Sequence, residues 1–264
     1  TGTASYKEFF HDDYDLPNGN ADVGETCVTV TWIQFNAQLL RLTGEARFAE
    51  ELERSVYNQL FGAQKPDGTA WGYYVQLEGK KPYSSELSGH CCLSSGPRGV
   101  ALLPTFAVTT DAEGVVINFL AEGRSALTLR DGRKVEIETR SSYPAEGRAD
   151  FILRTPTPGT FSVRIRIPAW CPAAAIQING RPFERPVQPG EYATLRREWR
   201  DGDRLALEIP LKPRLRVGDH TNLGKVAFEY GPLVLAADDA LNPGAPSGSF
   251  RINGRPAEMS IVSS

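Results

Sequence analysis

The chain has 264 residues, 41% of them apolar and 23% charged, and a formal net charge of −3. That composition excludes a disordered or collagen-like chain, and it lacks the basic excess of a protein built to grip nucleic acid. No apolar run reaches the ~18 residues a membrane-spanning helix needs, so neither nucleic acid nor membrane is expected as a partner.

Residues 29–42 read TVTWIQFNAQLLRL, with Trp32, Phe35, Leu39 and Leu42 spaced three or four apart. This spacing predicts a helix with an apolar face, and Gly44 is the expected left-handed stop. Phe48, Leu52, Val56 and Leu60 then recur at steps of four, predicting a second helix over 45–61 and hence an antiparallel helical hairpin. Residues 65–88 are rich in Gly, Pro, Tyr and Ser and read as loop or short hairpin. A third helix is expected over 95–107, with Pro97 in its first turn. From about 111 the period changes to two: 115–120, 134–138, 161–167 and 204–209 alternate or run apolar, separated by the turn signals Asp131-Gly132, Asn179-Gly180 and Asp201-Gly202. Residues 226–235 are apolar on both faces and read as a central strand. The fold class is therefore α+β: a helical part over 1–110, an antiparallel β-sandwich over 111–240, and a Gly-, Pro- and Ser-rich tail over 241–264. Three helices are few for a large helical domain. The chain starts at Thr1 and shows no signal-peptide pattern, so further helices are expected upstream.

Four cysteines in so long a chain do not make a disulfide scaffold. Glu25-Thr26-Cys27 and Cys91-Cys92 stand out. In an extended segment Glu25 and Cys27 point to one side, and Cys91-Cys92 precede an expected helix start at Ser94-Ser95, where a thiolate is stabilised. Three thiolates and a carboxylate suit a tetrahedral zinc shell. The alternative is a set of buried small hydrophobic residues, since free cysteine is often buried.

Three phrases, Tyr14-Asp15-Leu16-Pro17-Asn18, Glu25-Thr26-Cys27 and His90-Cys91-Cys92-Leu93-Ser94-Ser95-Gly96-Pro97-Arg98, together resemble glycoside hydrolase family 127, the β-L-arabinofuranosidase group. Arg166-Ile167-Pro168-Ala169-Trp170-Cys171 and Glu229-Tyr230-Gly231-Pro232-Leu233 are similar to that family's β-domain, and the likeness runs in order over about 8–240. It implies helices of a partial (α/α)6 barrel followed by a β-sandwich. It also implies zinc as cofactor held by Glu25, Cys27, Cys91 and Cys92, with Cys91 as nucleophile and Glu8 as general acid/base. The implied activity is that of a retaining glycosidase acting on β-L-arabinofuranosides of plant-type glycans, with a carbohydrate substrate. Zinc would keep Cys91 deprotonated, and Glu8 would have to be protonated at rest. Asp13 and Asp15 are the next choices for the acid/base. The chain is expected to be the carboxyl part of such an enzyme, inactive by itself, with the amino-terminal part of the same enzyme as its partner. Two other readings stand beside this one: a non-catalytic carbohydrate-binding or structural β-sandwich fragment, and a purely structural zinc site in an interaction protein.

Other residues carry smaller expectations. His90 is read as a hydrogen bonder behind the metal ligands, His11 as a surface-loop residue with the cleft as the alternative, His220 as structural or exposed, and Cys171 as a core thiol. The aromatic run Trp71-Gly72-Tyr73-Tyr74 either stacks on sugar or packs under a loop. Arg98 is placed to pin a carboxylate such as Glu25, and Arg196-Arg197-Glu198-Trp199-Arg200 is read as a solvated turn.

Overall fold

The computed structural model describes residue 2 and residues 5–10, 22–77, 81–84 and 90–236. His11, Asp13, Asp15, the 14–18 phrase and the tail lie outside the described residues. In chain order the elements are β1 (Ser5–Tyr6), β2 (Phe9–Phe10), α1 (Thr26–Thr43), α2 (Ala46–Arg54), a π-helical turn (Ser55–Leu60), α3 (Phe61–Ala63), α4 (Cys92–Leu102) and α5 (Pro104–Ala107). Strands follow: β3 (Val108–Thr110), β4 (Gly114–Ile117), β5 (Gly123–Thr128), β6 (Lys134–Ser141), β7 (Arg148–Arg154), β8 (Gly159–Arg166), β9 (Ala175–Ile178), β10 (Arg181–Pro182), β11 (Tyr192–Trp199), β12 (Arg204–Glu208), β13 (Pro213–Val217), β14 (Val226–Tyr230) and β15 (Leu233–Leu235). This is an α+β chain with two compact units: residues 1–35, 54–100 and 212–264 form one, and residues 36–53 and 101–211 form the other.

In the first unit α1 buries Val30 and Ile33. Phe35 is 53% exposed, so the helix turns inward a different face from the one its aromatic spacing suggests. The helix is apolar on both sides, and periodicity alone cannot choose between them. The π-helical turn buries Ser55, Val56, Gln59 and Leu60 together. Beside Gln59, Asn58 donates through Nδ2 to the Arg54 and Pro232 carbonyls, at 2.9 Å each, and accepts the Val234 N–H at 2.7 Å. It thereby holds the turn of the three-stranded sheet β13-β14-β15. Residues 226–235 are not one strand. The chain folds back at Gly231, whose φ is 56°, and Pro232, which has no N–H to continue a ladder. The strands on either side are half-buried or exposed.

The second unit holds a six-stranded antiparallel sheet, order β10-β9-β12-β7-β6-β5, and a four-stranded sheet, order β11-β8-β4-β3. The latter is mixed, because β4 pairs with β8 in parallel. Three strands of the other sheet lie between these two in sequence, which provides the long crossover that a parallel pair requires. Alternation works as read in β6, where Val135 and Ile137 are buried; β7, which the sequence pattern does not mark, buries Ala149, Phe151, Ile152 and Leu153. The remaining positions carry cross-strand charge pairs such as Arg148–Glu208 at 2.9 Å. Residues 196–199, expected in a turn, are the end of β11, where Trp199 is fully buried and Arg196 is exposed. Cys171 is fully buried, and burial raises its thiol pKa. Gly44 stops α1 as expected, with φ 67° and its N–H on the Leu40 carbonyl at 2.8 Å.

One charge network sits inside this unit. Arg166 of β8 is 1% exposed and donates to the Asn118 carbonyl at 2.8 Å, to Glu50 of α2 at 2.7 Å, and to Glu53 of α2. Glu53 is also buried and accepts the Tyr143 hydroxyl at 3.0 Å. Burial pushes the Glu53 carboxyl above its ordinary range, against the pull of Arg166. Removing one partner of such a pair leaves the other charge buried and unpaired. Arg166→Met is therefore expected to lower the unfolding free energy by about 3–5 kcal/mol, and the exposed Arg148→Met far less. Denaturant titration of both variants checks this, and equal losses would contradict it.

Candidate metal centre

Two segments of the first unit meet here by backbone pairing. Glu25 bridges Tyr74 in antiparallel fashion. The Thr26 N–H donates to the Tyr73 carbonyl at 2.9 Å, the Val75 N–H to the Gly24 carbonyl at 3.1 Å, and the Thr26 hydroxyl to the Gly72 carbonyl at 2.8 Å. Glu25 and Cys27 do not lie on one face of an extended segment, because the helix begins between them. Glu25 is the cap of α1: its carbonyl accepts the Thr29 N–H at 2.9 Å and its carboxylate accepts the Val28 N–H at 3.0 Å. Cys27 sits in the first turn. Likewise α4 starts at Cys92 rather than at Ser94-Ser95. The Cys91 carbonyl accepts the N–H groups of Ser94 and Ser95, both at 3.1 Å, so Cys91 is the cap, and Pro97 falls inside the helix. Both helix amino ends therefore face one cluster, with partial positive charge from their free N–H groups.

The Cys27 sulfur is 3.1 Å from that of Cys91 and 3.4 Å from that of Cys92. A Glu25 carboxylate oxygen is 3.6 Å from the Cys92 sulfur and 3.9 Å from that of Cys91. One donor atom from each of the four residues lies within 4.8 Å of the others, so the group can hold a metal ion. Cys92 and Glu25 are buried, Cys27 is half-buried and Cys91 is exposed. The cluster is graded from a closed floor to an open Cys91.

Without an ion, four acidic groups this close cannot all ionise. Hydrogen bonds from the Cys92 thiol, the Ser95 hydroxyl and the Cys91 thiol hold Cys27 down at about 5. Cys92 is raised chiefly by donating to Cys27, and Cys91 by burial and by the same donation. Burial, then the charge on Cys27, pushes Glu25 up to about 7. The metal-free cluster thus carries one thiolate near neutral pH, on Cys27.

Two neighbours of the ligands, named in the sequence only within longer runs, take defined places beside them. Ser95 places its hydroxyl 3.1 Å from the Cys27 sulfur and accepts a hydrogen bond from Arg98 at 3.2 Å. Arg98, expected to pin a carboxylate such as Glu25, thus reaches the cluster through the Ser95 hydroxyl. Tyr73 donates its hydroxyl to Glu8, and that oxygen stands 3.9 Å from the Cys91 sulfur. The bond to Glu8 raises the Tyr73 hydroxyl pKa, which keeps it a donor. Glu8 lies in the turn between β1 and β2 and is exposed. The aromatic run divides: Trp71 is 4% exposed and lies so close under Gly96 that a Cβ there would come within 2.2 Å of the indole. Tyr73 faces the cluster. The signal for Tyr73 is its place in an aromatic run; for Ser95, its place in the first turn of the helix that the two cysteines open. His90 packs edge-on against Tyr73, ring centroids 5.2 Å apart, and its buried Nδ1 has no hydrogen-bond partner among the described residues. His220 is exposed beside Asp219.

Fold and site together define an α+β protein with a thiol-rich centre able to bind a metal ion. Residues 1–105 match the family model described as Beta-L-arabinofuranosidase, GH127 catalytic domain, and residues 114–211 match that of the GH127 middle domain. The chain belongs to the GH127 family. It is 28% identical over 263 residues to a non-reducing end beta-L-arabinofuranosidase of Bifidobacterium longum subsp. longum, covering 92% of this chain and 39% of that relative. Among solved structures it resembles a glycoside hydrolase (TM-score 0.78, 28% identity, 84% of this chain and 39% of that one). It also resembles a GH127 beta-L-arabinofuranosidase from Geobacillus stearothermophilus T6 (TM-score 0.78, 27% identity, 89% and 40%). The chain spans about two fifths of the length of each.

The charge distribution gives a direct check. In the reduced, metal-free protein, ultraviolet thiolate absorbance should rise by one thiolate per chain as pH increases through about 5. A depressed pKa means that the thiolate is present above this pH and lost below it. Cys27→Ser should remove that step, and its persistence in the variant would contradict the assignment.

Proposed function

We propose that this chain carries the nucleophile and the acid/base of a retaining β-L-arabinofuranosidase, with zinc bound by Glu25, Cys27, Cys91 and Cys92. The observation that carries the reading is one cluster in which three sulfurs and a carboxylate converge while a single sulfur, Cys91, remains exposed beside the Tyr73 hydroxyl that bonds Glu8. The donor set fits the ion. Zinc–sulfur bonds of about 2.3 Å imply tetrahedral sulfur–sulfur edges of about 3.8 Å, and zinc–oxygen bonds of about 2.0–2.2 Å imply sulfur–oxygen edges of about 3.6 Å. The carboxylate distances lie within about 0.3 Å of that edge, and the Cys27 sulfur needs to part from the other two by about 0.4–0.7 Å. Zinc supplies positive charge that keeps the thiols deprotonated at neutral pH.

The chain's own residues then divide the work. The exposed Cys91 sulfur attacks the anomeric carbon, and Glu8 gives its proton to the departing glycosidic oxygen. The Glu8 carboxylate next takes a proton from water, which displaces the Cys91 sulfur from the sugar and completes retention. Tyr73, a donor throughout, holds the Glu8 carboxyl in place between these steps. The buried Glu25 and Cys92 fix the floor. On this reading α1 to α4 are helices of an (α/α)6 barrel within residues 1–110, and residues 111–240 include a β-sandwich. The substrate is a glycan ending in β-L-arabinofuranose, and the remaining sugar contacts come from the parts of the relatives' length that this chain does not span.

Two outcomes test the reading. Elemental analysis of freshly reduced protein should give one zinc per chain, lost in Cys27→Ser; absence of zinc, or an unchanged content in the variant, would refute the ligand set. In a polypeptide spanning the relatives' full length, Cys91→Ser should abolish turnover. Glu8→Gln should slow glycosides with poor leaving groups about 10²–10⁴-fold and activated aryl glycosides far less. Equal losses on both substrates would remove Glu8 from the acid/base role.

A further inference from the structure

We propose that Gln59 is a positioning residue for Glu25, an inference that rests on the metal-binding reading above. Gln59 lies on the π-helical turn between Val56 and Leu60, both fully buried, and is itself 1% exposed. An apolar side chain would pack there without the cost of burying an amide. The amide is used, because Nε2 donates to the Gly24 carbonyl at 3.2 Å. That carbonyl belongs to the peptide group whose nitrogen is Glu25's, so a bond to it restrains the plane from which the Glu25 side chain departs. Gly24 needs the restraint. Its φ is 66°, the region where only glycine moves freely, and it joins the start of α1 to a segment bridged to the Glu8 hairpin through Val23 and Tyr6. The carbonyl is also bonded by the Val75 N–H, so Gln59 and the 71–75 segment grip one peptide from two sides. Wide π-type turns often serve this kind of local placement at functional sites. By contrast Asn58, next along the same turn, uses its amide on Pro232 and Val234, away from the cluster.

The test is a cobalt(II) titration of the reduced chain, followed by the thiolate-to-cobalt charge-transfer band and the visible ligand-field band. Gln59→Met keeps the length of the side chain and removes the donor; Gln59→Asn keeps an amide that is too short to reach. Both are expected to bind cobalt about 10–100-fold more weakly, as for other residues that orient metal ligands, and with a shifted visible band. Asn58→Leu serves as the control for a merely structural role: its melting temperature should fall while cobalt affinity and band position stay unchanged. Folding of each variant is followed by circular dichroism on the same samples, and Gln59→Asn decides the matter if Gln59→Met does not fold. Unaltered affinity and band in a folded Gln59 variant would overturn the positioning role and leave the metal centre standing. Equal changes in Asn58→Leu would likewise overturn it, by showing a global effect. A native chain that gives no thiolate-to-cobalt band would sink the metal reading itself, and this role with it.

Discussion

The site depends on one short backbone stitch. Glu25 and Tyr74 pair in antiparallel fashion, and the peptide groups of Gly24, Thr26, Tyr73 and Val75 close the ladder around them. That pairing sets the 71–75 segment beside the start of α1, next to which the cysteines 64 to 67 residues further along are seated. It also sets the start of α1, because the residue that leaves the bridge is the one whose carbonyl caps the helix. A second helix amino end, at Cys91, is brought to the same point by α4, which lies so close over Trp71 that only glycine fits at position 96. Two helix amino ends and a closed floor of Glu25 and Cys92 then hold acidic groups nearer than they would choose in water.

The energetic consequence is a cluster poised between protonation and cation binding. With no cation, one thiol ionises and its neighbours become donors to it, so the charge on Cys27 is maintained at the expense of Cys91 and Cys92. A dication reverses this ordering by rewarding every deprotonation at once. Exposure differs among the sulfurs: Cys92 is buried, Cys27 is half-covered and Cys91 is open. Tyr73 links that open sulfur to Glu8 through one oxygen atom. The second unit has its own internal tie, in which Arg166 fastens the acidic face of α2 to β8.

Much of this is legible in the sequence because the signals are local. Alternating or apolar runs locate β4, β6, β8 and β12, and Gly44 marks the end of α1. The rarity of cysteine makes Glu-x-Cys and Cys-Cys conspicuous enough to name all four members of the cluster. What stays hidden depends on tertiary context. The Trp32-Phe35-Leu39-Leu42 stripe and the Val30-Ile33 stripe occupy one helix, and spacing cannot say which turns inward. The start of α4 reads too late, at Ser94, because a cysteine cap gives none of the usual Ser, Thr, Asp or Asn signal. The strand over 226–235 breaks at Gly231-Pro232, a turn masked by the apolar residues on either side. Tyr73 and Ser95 acquire meaning only when segments distant in sequence meet, and Gln59 only when its buried amide is seen to reach Gly24.

X-ray absorption at the zinc K edge of the zinc-loaded, reduced protein counts and identifies the atoms around the ion. Three sulfurs at about 2.3 Å and one light-atom ligand at about 2.0–2.2 Å are expected, with a Glu25→Gln variant altering only the light-atom shell. A shell made of nitrogen and oxygen alone, or one that keeps three sulfurs when Cys91 is replaced by serine, would contradict this ligand set.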